Sequence, residues 1–324
     1  MKFWRTLARL LGALASAAFC ASSASAAFPD KTVTIVVPFA AGSSADANVR
    51  VLAEKLRDVL NTTVVVENKP GANGMIGAGA VVRSAPDGYT VLYHSASLVI
   101  NPWLVKDAPE PTQTLVPIAQ VASTPYILAV RSELGIRSVA DFVAYAKANP
   151  GRLSCSSYGV GSPPHLALEL LKQSAGIQVV HVPYRTGFAQ AFVDLTLGQL
   201  DCAMDLPANV MQHAASGKLV VVGATAPSRL VSVKDVPVIS TDHPDAVVTG
   251  WSGFFAPAGT PPEVVRKLEE AVRSAIADPT VLKNLATVGM SPSTAVTRDE
   301  FTKTVGSDYR RFGAIIKATG IKIQ

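Results

Sequence analysis

Residues 33–56 read VTIVVPFAAGSSADANVRVLAEKL. The run from Val33 to Pro38 is apolar and β-branched without alternation, which marks a strand buried on both faces. A small-residue turn follows, Phe39-Ala40-Ala41-Gly42-Ser43. From Ser44 to Leu60 the period changes, and Val49, Leu52, Ala53, Leu56 and Val59 fall on one face at helical spacing. Strand, glycine turn and helix in that order predict a parallel sheet with helices packed on it.

The pattern extends outward from this stretch. Val64 to Glu67 is a second strand, and Asn68-Lys69-Pro70-Gly71 turns into a Gly/Ala-rich helix that ends before Pro86-Asp87-Gly88. Thr90 to His94 is a third strand. The series then restarts: Ser138 to Asp141 opens a helix as a capping box, and that helix ends at Asn149-Pro150-Gly151. Leu153 to Ser157 is a strand running into Tyr158-Gly159-Val160-Gly161-Ser162, and a helix follows to Gly176. Near the end, Thr260-Pro261-Pro262-Glu263 combines an N-cap, Pro at N1 and a capping Glu. Thr297 to Glu300 starts the last helix, with Phe301, Val305, Phe312 and Ile316 inward. Two such series with no Gly-, Ser- or charge-rich linker predict two α/β domains closely joined. The junction between domains is a preferred place for a ligand.

Composition removes several classes. The 324 residues are 48% hydrophobic and 16% charged, too apolar for disorder. The net charge of +5 overstates the basicity, because Lys2, Arg5 and Arg9 lie in an acid-free leader. Without those three, 26 basic residues face 24 acidic ones, so no nucleic-acid partner is expected. The leader reads as a signal peptide: a basic start, an apolar Leu10 to Phe19, and Ala24-Ser25-Ala26 as cleavage site. Phe19 is too bulky for lipid anchoring at Cys20. Cleavage after Ala26 and residence in the periplasm are the expectation. Only Cys155 and Cys202 then remain, and the sequence leaves open whether they pair or stay as buried thiols.

The feature with most chemical content is the repeated turn. Phe39 to Ser43 and Ser157 to Ser162 both lead a strand into a helix, where free N–H groups and the helix dipole favour an anion. Ordinary capping would use the same residues, so one turn alone is ambiguous. Two at matching topological positions could grip a carboxylate across a cleft. Phosphate and dinucleotide motifs are missing: Pro164 stands where a third glycine would follow Gly159 and Gly161. No G-x-S-x-G elbow supports a serine hydrolase, and the histidines lack metal-ligand spacing. His165 could contact an anion or cap the preceding loop, and His181 reads as a core residue. Asp46 and Asp205 could flank a cleft or simply cap. Tyr184-Arg185 could add a wall and a cation, while Trp103 and Trp251 could both be core.

Taken together, the motifs carry a resemblance. They are FPDKTVTIVVPFAAGSSAD (28–46), VVVENKPGANGMIGA (64–78), APDGYTVL (85–92), AYAKANPGRLSCSSYGVGSPPHLA (144–167), VVHVPYR (179–185), LGQLDCAMD (197–205), SGKLVVVGAT (216–225) and WSGFFAPAGTPPEVV (251–265). In this order they resemble the Bug-type periplasmic solute receptors, the extracytoplasmic component of tripartite tricarboxylate transporters. The resemblance implies a type II periplasmic-binding-protein fold, with two α/β lobes around a ligand cleft. Lobe 1 would comprise 27–125 and 250–324, lobe 2 would comprise 126–249, and the crossovers would fall near Tyr126 and Gly250. It implies a carboxylate held by backbone amides and hydroxyls of Phe39, Ala41, Gly42, Ser43, Ser157, Gly159, Gly161 and Ser162. Ser95, Ser97 and Asp205 would be second-tier contacts. The family pattern has Gly-Gly where this chain has Gly42-Ser43, and Gly where Thr186 precedes Gly187.

The expected function is therefore a non-enzymatic receptor, monomeric and without metal or cofactor. Its ligand would be a small organic acid (a di- or tricarboxylate, an acidic amino acid or an aromatic acid), passed to the permease subunits of a transporter. A binding protein that signals to a membrane kinase is the alternative, and an exported hydrolase a third.

Overall fold

A computed structural model describes residues 28–106, 108–184, 188–226 and 235–322. The expected signal peptide and its Ala26 cleavage site lie outside the described residues, as do Arg185, Thr186 and Gly187.

The first βαβ unit forms as its periodicity dictates. Strand β1 (Val33–Val37) is buried on both faces except at Thr34. Helix α1 (Ser44–Leu60) is capped by Ser43, whose hydroxyl accepts from the Asp46 N–H, and closes on a left-handed Asn61. Strand β2 (Val64–Asn68) alternates because it lies at the sheet edge. Helix α2 (Met75–Val82) lies close to β1: a Cβ on Gly77 would stand 2.8 Å from the Pro38 side chain and 3.0 Å from the Lys69 carbonyl. Its glycines serve packing. Strand β3 (Thr90–Ser95) and the short α3 (Ser97–Ile100) and α4 (Pro111–Thr114) complete the segment.

Strands β4 (Leu115–Pro125) and β5 (Ile127–Arg131) are separated by Tyr126 alone, yet belong to different sheets. Helix α5 (Val139–Ala148), β6 (Ser154–Ser157), α6 (Pro163–Ala175), β7 (Val180–Pro183), α7 (Phe188–Thr196), β8 (Cys202–Asp205), α8 (Pro207–Ala215) and β9 (Leu219–Ala224) follow. The return consists of β10 (Thr249–Pro257), α9 (Pro262–Ile276), α10 (Pro279–Thr287), β11 (Ser291–Pro292) and α11 (Arg298–Thr319).

One sheet has six strands in the order β11-β4-β10-β3-β1-β2, the other five in the order β7-β6-β8-β5-β9. Parallel pairing links β1 to β2 and β3, and β6 to β7 and β8. Strand β10 pairs antiparallel with β4 from Thr249↔Pro125 to Pro257↔Leu115. One apolar cluster runs from Val36 and Leu92 through Phe301 and Phe312 of α11 to Leu128 and Phe142. The architecture is two α/β lobes, each with its own sheet, and α11 contributes to the shared core.

Some local expectations change. Ser138 caps α5 as expected, but Asp141 returns its bond to the Arg137 N–H rather than to the cap residue. The N-cap of α9 is Pro261, not Thr260, because the Thr260 hydroxyl donates back to the Pro257 carbonyl. The Thr297–Glu300 capping box is complete, and Phe301, Val305, Phe312 and Ile316 are buried. Cys155 and Cys202 are register partners on β6 and β8, and both are free, buried thiols.

Candidate functional site

A cavity of about 660 Å³ opens where β1, β3, β6 and β8 end, between the two sheets. Open α/β sheets place ligands beyond the carboxyl ends of their parallel strands, where loops lead into helix N-termini. Of the residues expected at the site, Phe39, Ser43, Ser95, Ser97, Gly159, Gly161 and Ser162 line this cavity. The other four stand elsewhere. Ala41 and Gly42 are exposed on the outer side of their turn, while Ser157 and Asp205 are buried behind the cavity wall.

The first turn is fixed from behind by Asp46. Its Oδ2 accepts from the Gly42 N–H at 2.9 Å and from Arg50 Nε at 3.0 Å. Its Oδ1 accepts from Asn68 Nδ2 at 2.9 Å, and the same amide donates to the Phe39 carbonyl. The Arg50 bond, then the Gly42 N–H, hold the Asp46 carboxyl down at about 2. Asp46 is thus a loop anchor rather than a ligand contact. Phe39 meets the buried His94 edge-on at 5.6 Å. Burial lowers His94 to about 4, so its ring is neutral, and its Nδ1 accepts from the Ser95 N–H at 2.9 Å. Beyond it the Ser95 and Ser97 hydroxyls lie 2.9 Å apart.

The second turn is wired differently. Gly159 donates its N–H to Ser157 Oγ at 3.2 Å, Gly161 to His165 Nδ1 at 3.0 Å, and Ser162 to the Gly159 carbonyl at 3.2 Å. Ser162 Oγ donates to the Gly159 carbonyl at 2.8 Å. Ser157 lies 2.6 Å from His181 Nε2, and that ring stacks on His165 with centroids 3.7 Å apart. His181 is therefore half-buried loop support rather than core, and burial lowers it to about 4.

The two helix ends also differ. The first two residues of α6 are Pro163 and Pro164, which have no N–H to offer. Helix α1 begins Ser44-Ala45, and two such first-turn amides have no intrahelical partner. The anion-favouring amides of the cleft therefore sit on the α1 side, with Ala45 in the wall. Sequence reasoning treated the two turns as equivalent. The Pro-Pro pair was the signal that they are not.

Sequence reasoning also missed part of the wall. Tyr126 of the crossover, Tyr158, Leu206, Trp251 and Met290 all line the cavity. Asp205 Oδ1 accepts from Tyr158 at 3.0 Å, from the Leu206 N–H at 2.7 Å and from Asn209 Nδ2 at 2.6 Å. Burial pushes Asp205 up to about 6 despite these donors. Among the described residues no group of three or more His, Cys, Asp or Glu converges on a metal position.

Two α/β lobes meeting at such a cleft define a solute-binding protein of the periplasmic type. Residues 48–321 match the tripartite tricarboxylate transporter family receptor, TctC, and the chain belongs to this family. It is 30% identical over 328 residues to protein BugT of Bordetella pertussis, with 100% of each chain covered. Its fold is similar to that of the periplasmic binding protein BugD, at 32% identity and TM-score 0.74, covering 92% of this chain and 100% of that one. It is also similar to MatC of Rhodopseudomonas palustris with bound malate, at 28% identity and TM-score 0.71, covering 89% and 100%.

Proposed function

We propose that this protein is an extracytoplasmic receptor that binds a small organic carboxylate between its lobes and delivers it to a tripartite tricarboxylate-type membrane transporter. The ligand carboxylate docks against the first turn of α1 and the hydroxyls of Ser43, Ser95 and Ser97, joined by that of Ser162 once it turns from the Gly159 carbonyl. The observation that carries this reading is the concentration of hydroxyls and of first-turn amides of α1 around one cavity. The malate bound by MatC supports it by similarity. No covalent chemistry is required: closing the lobes over the ligand selects a state that a permease can recognise.

In this reading 27–125 and 250–324 form one lobe and 126–249 the other, a division supported by the strands of the two sheets. Ser157 and Asp205 act through the loop and through Tyr158, and Ala41 and Gly42 shape the first turn. The chain is exported, cleaved near Ala26, and works as a monomer.

A thermal-shift screen of the mature protein tests the proposal, using organic acids beside their uncharged amides. A ligand at 100 times its Kd stabilises by about 2.7 kcal/mol, a clear rise in Tm. Responses to acids and not to amides are expected. A response to the amides alone, or to nothing, would overturn the carboxylate reading.

A further inference from the structure

The strands that cross between the two sheets have two sides. Thr124 and Gly250, a register pair of β4 and β10, face the ligand cavity. Their neighbours Ser123 and Thr249 line a second cavity of about 590 Å³, as alternation of side chains along a strand requires. Trp251 lines both.

Two charged residues of α11, three positions apart and so on one face of the helix, line the second cavity and reach the crossover. Asp308 Oδ2 accepts from the Trp251 indole N–H at 2.9 Å. Arg311 Nη2 donates to the Asp245 carbonyl at 3.3 Å and to the Val247 carbonyl, in the segment that leads into β10. Neither residue is among those lining the ligand cavity. Nor does α11 need them for docking, since Phe301, Val305, Phe312, Ile315 and Ile316 already bury its apolar face. Drawing a carboxylate and a guanidinium partly out of water is unfavourable. Burial indeed raises Asp308, against the pull of the Trp251 N–H and the Arg311 charge. The return lies in what the two side chains hold. The N–H is the only hydrogen-bonding group of an indole, and Trp251 is 4% exposed. The bond to Asp308 therefore fixes which edge of the ring turns to α11, with Phe301 packed edge-on at 5.3 Å. It thereby fixes the surface that the ring presents to the ligand cavity.

We propose that Asp308 and Arg311 are positioning residues for ligand binding: from behind the cleft they set the orientation of Trp251 and the path of the crossover that carries it. This rests on the receptor reading above, because the placement of Trp251 matters to function only if the cleft takes a ligand.

Titration calorimetry on the mature protein tests it, with malate, adipate, citrate, glutamate and benzoate as probes. The acid that wild type binds most tightly is then titrated into the variants. Asp308→Leu should weaken binding about 10-fold, the size of one lost hydrogen bond to a charged group. Asp308→Asn, whose Oδ1 still accepts from the indole, should recover most of that loss. Arg311→Met, which keeps the stem without the donors, should weaken binding by a similar factor. Trp251→Phe has no N–H to hold, so adding Asp308→Leu to it should lose no further affinity. Losses that multiply in the double variant would overturn the action of Asp308 through Trp251. Thermal melts confirm folding. Where the Leu or Met variant does not fold, Arg311→Lys decides: it keeps the charge but not the planar head, and should weaken binding about 3-fold. Folded variants with lowered Tm and unchanged affinity would reduce both residues to structural supports and overturn the proposal, leaving the receptor reading intact. Silence of wild type towards all five acids would overturn the receptor reading and this proposal with it.

Discussion

Gly161 donates its N–H to His165 Nδ1 at 3.0 Å, four residues into the helix that the same loop begins. Glu169 lies 3.6 Å from the other ring nitrogen and is itself held by Lys172 at 2.6 Å. A carboxylate beside Nε2 favours the proton there and leaves Nδ1 as the acceptor that Gly161 needs. The loop that faces the cavity is therefore shaped by a histidine that is not among the residues lining it. Replacing His165 with Ala should weaken ligand binding by roughly 1–2 kcal/mol through a loosened loop. His165→Asn should recover part of this, since Asn Oδ1 can accept the same N–H. Calorimetry on both variants, with thermal melts to confirm folding, checks it, and equal affinity for wild type and Ala would refute it.

Gly161 also makes room for Leu104. Its φ of +76° favours glycine, and a Cβ there would stand 2.1 Å from Leu104 Cδ1. Gly161→Ala should carry a backbone cost of about 1–2 kcal/mol and push Leu104 aside, weakening ligand binding further. Adding Leu104→Ala should relieve the clash but not the backbone cost. The two contributions separate in a double-mutant cycle read by urea unfolding and by affinity, and a cycle with no coupling would remove the contact from the account.

Ser162→Ala should weaken carboxylate binding by about 1–2 kcal/mol. The hydroxyl ties the Gly159 carbonyl at 2.8 Å and stands 3.3 Å from Ser157 Oγ. On the proposed reading the substitution removes a ligand contact together with this tie in the loop. An unchanged Kd would take Ser162 out of the site.

Asp205 makes a pH prediction with a definite sign. Burial raises its folded value to about 6 from an ordinary 3.8. The folded state therefore binds the extra proton between those values, and this group's contribution to stability falls as pH rises through that window. Asp205→Asn keeps an oxygen for Tyr158, Leu206 and Asn209 while removing the charge. Relative to wild type, the variant should gain about 3 kcal/mol of stability between pH 3.5 and pH 8. Denaturant unfolding across this range measures the difference, and a pH-independent gap between the two proteins would contradict it.

Much of this fold could be read from local pattern. The unbroken apolar run at 33–37 and the Thr297–Glu300 box mark their elements because each signal lies within a few residues of chain. Strand order was not legible, since the insertion of β10 between β4 and β3 depends on pairings far apart in sequence. The site divides in the same way. Glycines and serines at strand ends announce the two turns, and most of them do face the cavity. Which N–H groups remain for a ligand depends on His165, Ser157 and Asp46, and that is a matter of side-chain geometry. Tyr126 lies in none of the quoted motifs, and Trp251 opens one of them with no sign that it faces a cleft: their place follows from the crossover between sheets.

The insertion of β10 also governs the order in which the molecule can be completed. Every strand of the five-stranded sheet lies within residues 127–224, so that half can condense from neighbouring chain alone. Among the described residues, strand β4, made earlier, pairs with β10 and β11 alone, and both arrive after residue 248. The half that begins the chain is thus the last to close. Closure over so long a separation is slow compared with local pairing. Refolding followed by pulsed hydrogen exchange should show amides of β5, β6 and β8 protected ahead of those in β4, with early protection of β4 as the contrary result.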